Sequence, residues 1–402
     1  MANTCCSGSK VTLRSGRQSC CCGADQTTVA ASAPCCGGQT TAETPQTEQL
    51  STESVFDEPW VIGNISTPVG DVPQISTKLT FRDTLGSWKC RWSIGRMNYK
   101  VEPGLYAIGM PSADSSVLVT SNYKMTFDRL REQLSGLHLW IIVLDTYGVN
   151  VWCAAGKGTF GTEEVIHRIK EVKLSQVVSH RTIILPQLGA VGVAAHEVLK
   201  ASGFRVSYGP IRSKDIQAYF KNGMQVTEEM RTVHFPIGER AVLTPMELVG
   251  AAVPLLIAFG VLFLFNAVGF GHYGFADLYG ILGAVFTGAV AAPILLPWLP
   301  GRAFSQKGGF LGLLWAAGFL LLNGLPGNPA FGWLKAAAYL LLLPSLSGFL
   351  TLNFTGSSTY TSLSGVDREM KFAIPIMLIA AVGAVLLLLA SDFAILIGGS
   401  VI

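Results

Sequence analysis

Asn150-Val-Trp-Cys-Ala-Ala-Gly-Lys-Gly-Thr159 brings a thiol, an ammonium and two glycines into ten positions. The Gly-Lys-Gly-Thr run invites comparison with a phosphate loop, whose G-x-x-x-x-G-K-[ST] pattern wraps backbone N–H groups around an anion. Val151 stands where the first glycine should be and Gly158 follows Lys157, so nucleotide binding is a poor reading. Cys153 needs another explanation. Asn150 is a good helix N-cap, which makes Val151-Trp-Cys-Ala-Ala155 the first turn of a short helix ended by Gly156. The sulfur then lies beside first-turn N–H groups and near Lys157, a setting that suits a soft ligand for a transition metal. Ala154 and Ala155 add little bulk, leaving room for a flat, wide ligand against the helix, and glycines at 156, 158 and 161 let the backbone approach closely. A lone cysteine after a core strand reads equally well as a small buried apolar group, with Gly156–Thr159 as a plain turn. Local chemistry permits a metal ligand without requiring one.

Positioning that sulfur falls to residues 60–243, a segment in which short β-branched runs alternate with amphipathic ones. Val117–Thr120 precedes Phe127–Leu134, Leu139–Leu144 precedes Glu163–Ile169, Thr182–Leu185 precedes Val193–Leu199, and Phe204–Ser207 precedes Asp215–Phe220. Strand–helix alternation predicts a parallel sheet flanked by helices, with ligands at the carboxyl ends of the strands. The Cys153 stretch follows such an end, that of Leu139–Leu144.

The 402 residues are 50% hydrophobic and 14% charged, with mean hydropathy +0.43, too apolar for an ordinary soluble domain. A shift near Thr244 separates a charged N-terminal part from a Leu/Ala/Gly/Phe-rich remainder. There, five stretches predict membrane spans, approximately 246–268, 276–298, 309–325, 333–353 and 372–397. Arg302, Lys307, Arg368 and Lys371 fall in alternate connections, so the positive-inside rule puts the α/β part in the cytoplasm and the C-terminus outside. Asp277, Lys335 and Asp392 lie near span ends, which favours an anchor over an ion pathway, and Gly280, Gly283, Gly309 and Gly312 are expected at close helix contacts. The opening MANTCCSGSKVTLRSG lacks the apolar core of a secretory signal. Residues 1–59 are expected to be a disordered, cysteine-rich extension and linker, carrying Cys5, Cys6, Cys20, Cys21, Cys22, Cys35 and Cys36 as free thiols suited to capturing a soft metal ion or serving no metal at all. A net charge of +3 without aromatic–basic interleaving argues against nucleic acid.

Asn150-Val-Trp-Cys-Ala-Ala-Gly-Lys157 resembles the cap-helix motif N-[VI]-W-C-A-[AG]-G-K of the HgcA family, the membrane-bound corrinoid proteins of microbial mercury methylation. The resemblance extends through Pro103–Tyr106, Leu118–Lys124, Val143–Thr146, Gly158–Thr162, His180-Arg181, Leu185–Ala190 and Tyr208–Pro210, and through the C-terminal spans. It implies an α/β Rossmann-like corrinoid-binding domain, similar to the corrinoid iron–sulfur methyl carriers of acetyl-CoA synthesis, followed by an all-α transmembrane domain of five helices in the cytoplasmic membrane. Cys153 matches the family's catalytic cysteine, the lower axial ligand of cobalt. Asn150, Val151, Trp152, Ala154, Ala155, Gly156 and Lys157 match its cofactor-binding cap helix, with Thr159 just beyond.

The implied activity is that of a corrinoid-dependent methyltransferase, moving a methyl group from cobalt to Hg(II) to give methylmercury after loading from a methyl-folate donor or its protein. The chain has no C-x-x-C-x-x-C run of its own, so a ferredoxin-like, HgcB-like partner is implied as electron source. Asp145 and Thr146, at a strand end, either hydrogen-bond corrin amides or cap the turn. His180 and His196 are rival cobalt ligands on paper, with His196 expected on a helix surface. Two other classes stay open: a membrane-anchored corrinoid methyl carrier of one-carbon metabolism that never acts on mercury, and a non-catalytic thiol or metal sensor.

Overall fold

The apolar runs read as strands do pair as strands, in a computed structural model that describes residues 53–269, 271, 273–324, 332–358 and 363–396. The seven cysteines from Cys5 to Cys36 lie outside the described residues. Strands β1 (Val61–Thr67), β2 (Gly70–Ile75), β3 (Gly104–Ile108), β4 (Val117–Ser121), β5 (Leu139–Leu144), β6 (Thr182–Leu185) and β7 (Arg205–Tyr208) form one sheet in the order β1-β2-β3-β5-β4-β6-β7. The four strands expected from the sequence are mutually parallel, but β3 runs antiparallel to β5, and β1–β2 is an antiparallel hairpin at the edge. The sheet is therefore mixed rather than parallel. The hairpin escapes a periodicity reading because β1 is largely exposed and the two strands are interrupted by Gly63, Asp71 and Pro73.

Alternation along the strands fills two cores. Val117, Val119, Trp140, Ile142 and Leu144 face one layer, and Leu118, Ile141 and Val143 the other. Besides two single-turn helices, Glu53–Phe56 and Leu174–Val177, the helices are α1 (Phe81–Arg91), α2 (Lys124–Glu132), α3 (Val151–Lys157), α4 (Thr162–Glu171), α5 (Ala195–Ser202) and α6 (Ile216–Lys221). Helices α3, α4 and α5 cover the first face, and α2 and α6 the second.

Helix α1 starts with a Thr80–Asp83 capping box and is tied to α2 by buried charges. Lys124 Nζ reaches Asp83 Oδ1 at 2.9 Å and Asp128 Oδ1 at 2.7 Å, while Arg131 donates to Asp83 Oδ2 and Asp128 Oδ1, both at 2.8 Å. Burial pushes the Asp83 carboxyl upward, but the Thr80 backbone N–H and the Lys124 ammonium outweigh it and hold the group well below the usual carboxylate range.

Beyond Pro236 the chain is helical: α7 (Ile237–Ala267), α8 (Phe275–Phe286), α9 (Phe304–Leu322), α10 (Trp333–Asn353) and α11 (Leu363–Leu396). Helix α8 continues through a π-helical turn, Thr287–Ala291, into Ala292–Leu295. Four of these segments are long and apolar enough to cross a membrane: Ile237–Ala267, Phe275–Leu295, Trp333–Ser357 and Ser364–Ala394. The expected span near 309–325 is not among them. Its helix, α9, opens on Phe-Ser-Gln-Lys, and Lys307 Nζ is occupied at the helix start by the Leu296 carbonyl at 2.6 Å.

Three of the four glycines singled out do sit at tight helix contacts: Gly280 faces Phe319, Gly283 faces Trp315, and Gly312 faces Ser347 and Pro344. Gly309 is looser, with its nearest neighbour, the Pro344 carbonyl oxygen, 3.8 Å from where a Cβ would sit. Asp277 is buried but satisfied by Lys335 Nζ at 2.8 Å, the Gly274 N–H at 2.7 Å and the Tyr339 hydroxyl, while Asp392 accepts from Tyr273 at 2.8 Å.

Candidate functional site

The short helix after β5 forms where Asn150 starts it. The Asn150 Oδ1 accepts the Cys153 N–H at 2.9 Å, satisfying one of the donors that every helix leaves open in its first turn. Its end is two residues later than the sequence suggests. Gly156 continues the helix, and Gly158 closes it in the left-handed region at φ 82°, with the Phe160 N–H donating to the Ala154 carbonyl at 3.1 Å.

Helix α3 has two faces. Val151, Ala154 and Ala155, at i, i+3 and i+4, are buried in the core against the sheet. The alanines' small size therefore serves helix–sheet packing, and their side chains do not form the ligand face expected of them. The Gly192 backbone approaches α3 closely: a Cβ on Gly192 would collide with the Phe160 carbonyl oxygen and stand 3.0 Å from Ala155 Cα. The opposite face carries Trp152, Cys153, Gly156 and Lys157. Trp152 is 36% exposed, Cys153 is half-buried, and a Cβ placed on Gly156 would meet nothing within 4 Å. Thr159 lies past the helix end, its hydroxyl 3.4 Å from the Ala154 carbonyl.

The turn between β5 and α3 is built by Asn122, which sequence reasoning passed over. Its Oδ1 accepts the N–H groups of Thr146 and Gly148 at 3.1 and 3.0 Å and lies 2.9 Å from the Thr146 hydroxyl. Its Nδ2 donates to Asp145 Oδ1 at 2.9 Å. Asp145 also accepts the Tyr147 N–H at 3.0 Å, and its own N–H donates to Glu164 Oε1 at 2.9 Å. Thr146 is fully buried, with the Val149 carbonyl 2.7 Å from its hydroxyl. Asp145 and Thr146 thus both cap the turn. Glu164 is held in turn by Arg168, at 2.8 Å.

Strand order adds a second feature. From β4 the chain moves to β5 on one side, then crosses back over β4 to place β6 on the other, which makes a topological switch point between β4 and β6. A cavity of about 430 Å³ opens there, walled by Thr120, Tyr123, Trp152, Leu185, Pro186 and Ile211 among others. Cys153 is not among its walls, so sulfur and cavity are neighbouring features joined by Trp152.

The remaining candidates are structural. His180 Nε2 is 2.9 Å from the Ser115 carbonyl and its Nδ1 accepts the Thr182 N–H at 3.2 Å, while His196 is 84% exposed at the side chain. The only other cysteine among the described residues, Cys90, is buried with its sulfur 3.0 Å from the Tyr123 hydroxyl. Among the described residues no group of three or more His, Cys, Asp or Glu side chains gathers for a metal.

Comparison with known proteins bears on this part of the chain. A family profile described as CO dehydrogenase/acetyl-CoA synthase delta subunit matches residues 86–220. The gamma subunit of the acetyl-CoA decarbonylase/synthase complex of Methanopyrus kandleri is 32% identical over 144 residues, 35% of this chain and 31% of that subunit. Its counterpart in Archaeoglobus fulgidus is 33% identical over 128 residues, 31% of this chain and 27% of that subunit. The corrinoid/iron–sulfur protein large subunit of Moorella thermoacetica is 30% identical over 122 residues, 30% of this chain and 27% of that protein. The chain thus spans under a third of the length of these relatives. Over part of its α/β region, with the family profile at residues 86–220, this chain is similar to subunits of the acetyl-CoA decarbonylase/synthase complex and to a corrinoid/iron–sulfur protein large subunit.

Proposed function

We propose that the chain is a membrane-anchored corrinoid protein that carries a methyl group. The observation behind this reading is the open face of α3, where Cys153 stands between Trp152 and Gly156 on a helix whose other face is locked into the sheet. The residues fit a flat macrocycle: no side chain projects at Gly156, and the half-buried thiol is the one soft donor on that face. When bound, a corrinoid supplies a cobalt centre that takes up and releases a methyl group. Cys153 would be its protein ligand, Asn150 would fix the helix turn that holds the sulfur, and Lys157 would add positive charge one turn on. Trp152 would shield one side of the sulfur from water. With no cluster-binding cysteine run in the sequence, reducing equivalents would come from a ferredoxin-like partner.

The sulfur also favours one acceptor. A strongly donating thiolate ligand promotes departure of the methyl group with its bonding pair, which suits a soft electrophile such as Hg(II) and yields methylmercury. A methyl carrier serving one-carbon metabolism without mercury is the reading that the relatives support more directly.

Anaerobic reconstitution of the full chain with a cobalamin tests both levels. Wild type should show a corrin absorption spectrum with a thiolate-ligand signature, and Cys153→Ala should fold normally but lose that signature. Retention of an unchanged spectrum by Cys153→Ala would refute the ligand assignment. Supplying Hg(II) to the methylated protein and assaying methylmercury then separates the two acceptors.

A further inference from the structure

Helix α1 exposes an apolar row that the α/β fold does not use. Phe81, Leu85, Trp88 and Trp92, spaced i, i+4, i+7 and i+11, are 80, 42, 66 and 43% exposed, and Ile94 and Met97 extend the row beyond the helix. The opposite side of α1 is committed inward through Asp83 and Cys90. Flanking the row are Arg82, Lys89, Arg91 and Arg96, while the one acidic residue of the helix, Asp83, is buried in ion pairs. The outer surface is thus amphipathic and cationic, rich in tryptophan, and far from the Cys153 face in sequence.

Its neighbour identifies the medium. Helix α1 packs against α7, and Arg96 donates to Met246 Sδ at 2.8 Å. Met246 and Glu247 precede the apolar run of α7 that starts at Leu248, and the most hydrophobic 18-residue window of that helix has 0% of its residues buried inside the protein. The tryptophan row therefore begins where the lipid-facing surface of α7 begins. Tryptophan concentrates at the membrane–water boundary, and basic residues beside an apolar helix face complement anionic headgroups.

We infer that α1 lies in the plane of the membrane surface, with Phe81, Leu85, Trp88 and Trp92 in the headgroup–acyl boundary and Arg82 and Lys89 against anionic phospholipid phosphates. This rests on α7 crossing the bilayer, and the test reads the two claims separately.

Full-length protein in nanodiscs of phosphatidylglycerol, doped with a phospholipid carrying a photoactivatable diazirine high on its acyl chain, is irradiated and mapped by mass spectrometry. Labelling is expected on residues 81–97 and on α7, and not on Met110 or Val191, which are 71 and 79% exposed on the soluble part. A Trp88→Glu/Trp92→Glu variant should lose at least about fivefold of the 81–97 label while α7 labelling stays, because charge on the apolar face opposes insertion. Exchanging phosphatidylglycerol for phosphatidylcholine should lower the 81–97 label and leave α7 unchanged. Labelled α7 with 81–97 no higher than Met110 and Val191 would overturn the inference. So would an unlabelled row that becomes protected only on adding an iron–sulfur protein, which would make it a protein-docking face. An unlabelled α7 would instead remove the membrane reading on which the inference stands.

Discussion

Asn122→Ala tests how the site is held without reference to any cofactor. The side chain is 1% exposed, and its Oδ1 is the acceptor for the backbone N–H groups of Thr146 and Gly148. Alanine leaves both donors in a buried turn with nothing to accept them. Each unsatisfied group costs about 1–3 kcal/mol, and with partial relaxation the pair should cost about 3 kcal/mol. For a folded unit of this size that corresponds to a fall of roughly 6–12 °C in the melting temperature of the α/β part. Local opening should show more directly. Amide exchange at Thr146 and Gly148 should accelerate by about a hundredfold, since every 1.4 kcal/mol is a factor of ten, and the Cys153 amide should follow because Asn150 hangs from the same turn. Asn122→Asp keeps the accepting oxygen but sets a second carboxylate against Asp145 Oδ1, 2.9 Å from the present Nδ2. Its deficit should shrink as pH falls and one carboxyl takes up a proton. Exchange at Thr146 and Gly148 within about twofold of wild type in Asn122→Ala, below the effect of even one lost hydrogen bond, would refute the reasoning.

Gly192→Ala should displace α3, because its Cβ meets main-chain atoms of Phe160 and Ala155 that cannot rotate away. A loss of about 1–3 kcal/mol and faster exchange across Cys153–Gly158 are expected, read by hydrogen-exchange mass spectrometry. The Asp83 carboxyl, held below its ordinary value of 3.8, contributes stability that is fully present above that value and is lost as pH falls through the lower, folded one. Acid titration of unfolding should thus show α1 and α2 separating only below about pH 4, at the strongly acid end. Lys124→Met should cost about 3–5 kcal/mol at neutral pH by stranding buried carboxylate charge, with the deficit narrowing on acidification.

Strands β4, β5 and β6 are legible in the sequence because each is paired on both sides and largely buried, so continuous apolar runs such as Leu139–Leu144 announce themselves. Strand β1 is not, because pairing rather than burial defines it. The start of α3 is legible through Asn150. Its end is not, because Gly156 and Gly158 look alike in sequence and only the second adopts a positive φ. The i, i+3, i+4 spacing of Val151, Ala154 and Ala155 already contained the signal that these residues face inward, obscured by reading their small size as room for a ligand. A bulky residue at position 154 would therefore expel the helix from the sheet before it could obstruct anything on the outer face. Asn122 had no local signal at all, since the groups that it binds come 24 and 26 residues later in the chain. Helix α9 shows the limit of counting apolar residues: a polar first turn separates it from its neighbours while its glycines pack as theirs do.

The Asp83–Lys124–Arg131 lattice has a mechanical meaning. Asp83 belongs to α1, Lys124 and Arg131 belong to α2, and Asn122 stands two residues before Lys124 on the same turn of chain. Sliding α1 against α2 would tear an ammonium and a guanidinium from their carboxylates inside the protein, so the two helices move together or not at all. The tryptophan row and the turn that carries Cys153 are therefore mounted on one stiff bracket. The sulfur keeps a fixed stand-off and a fixed heading relative to the row. Were the row seated on a membrane, as proposed above, and a redox partner held on that surface, the partner would meet the sulfur by two-dimensional search at a preset height.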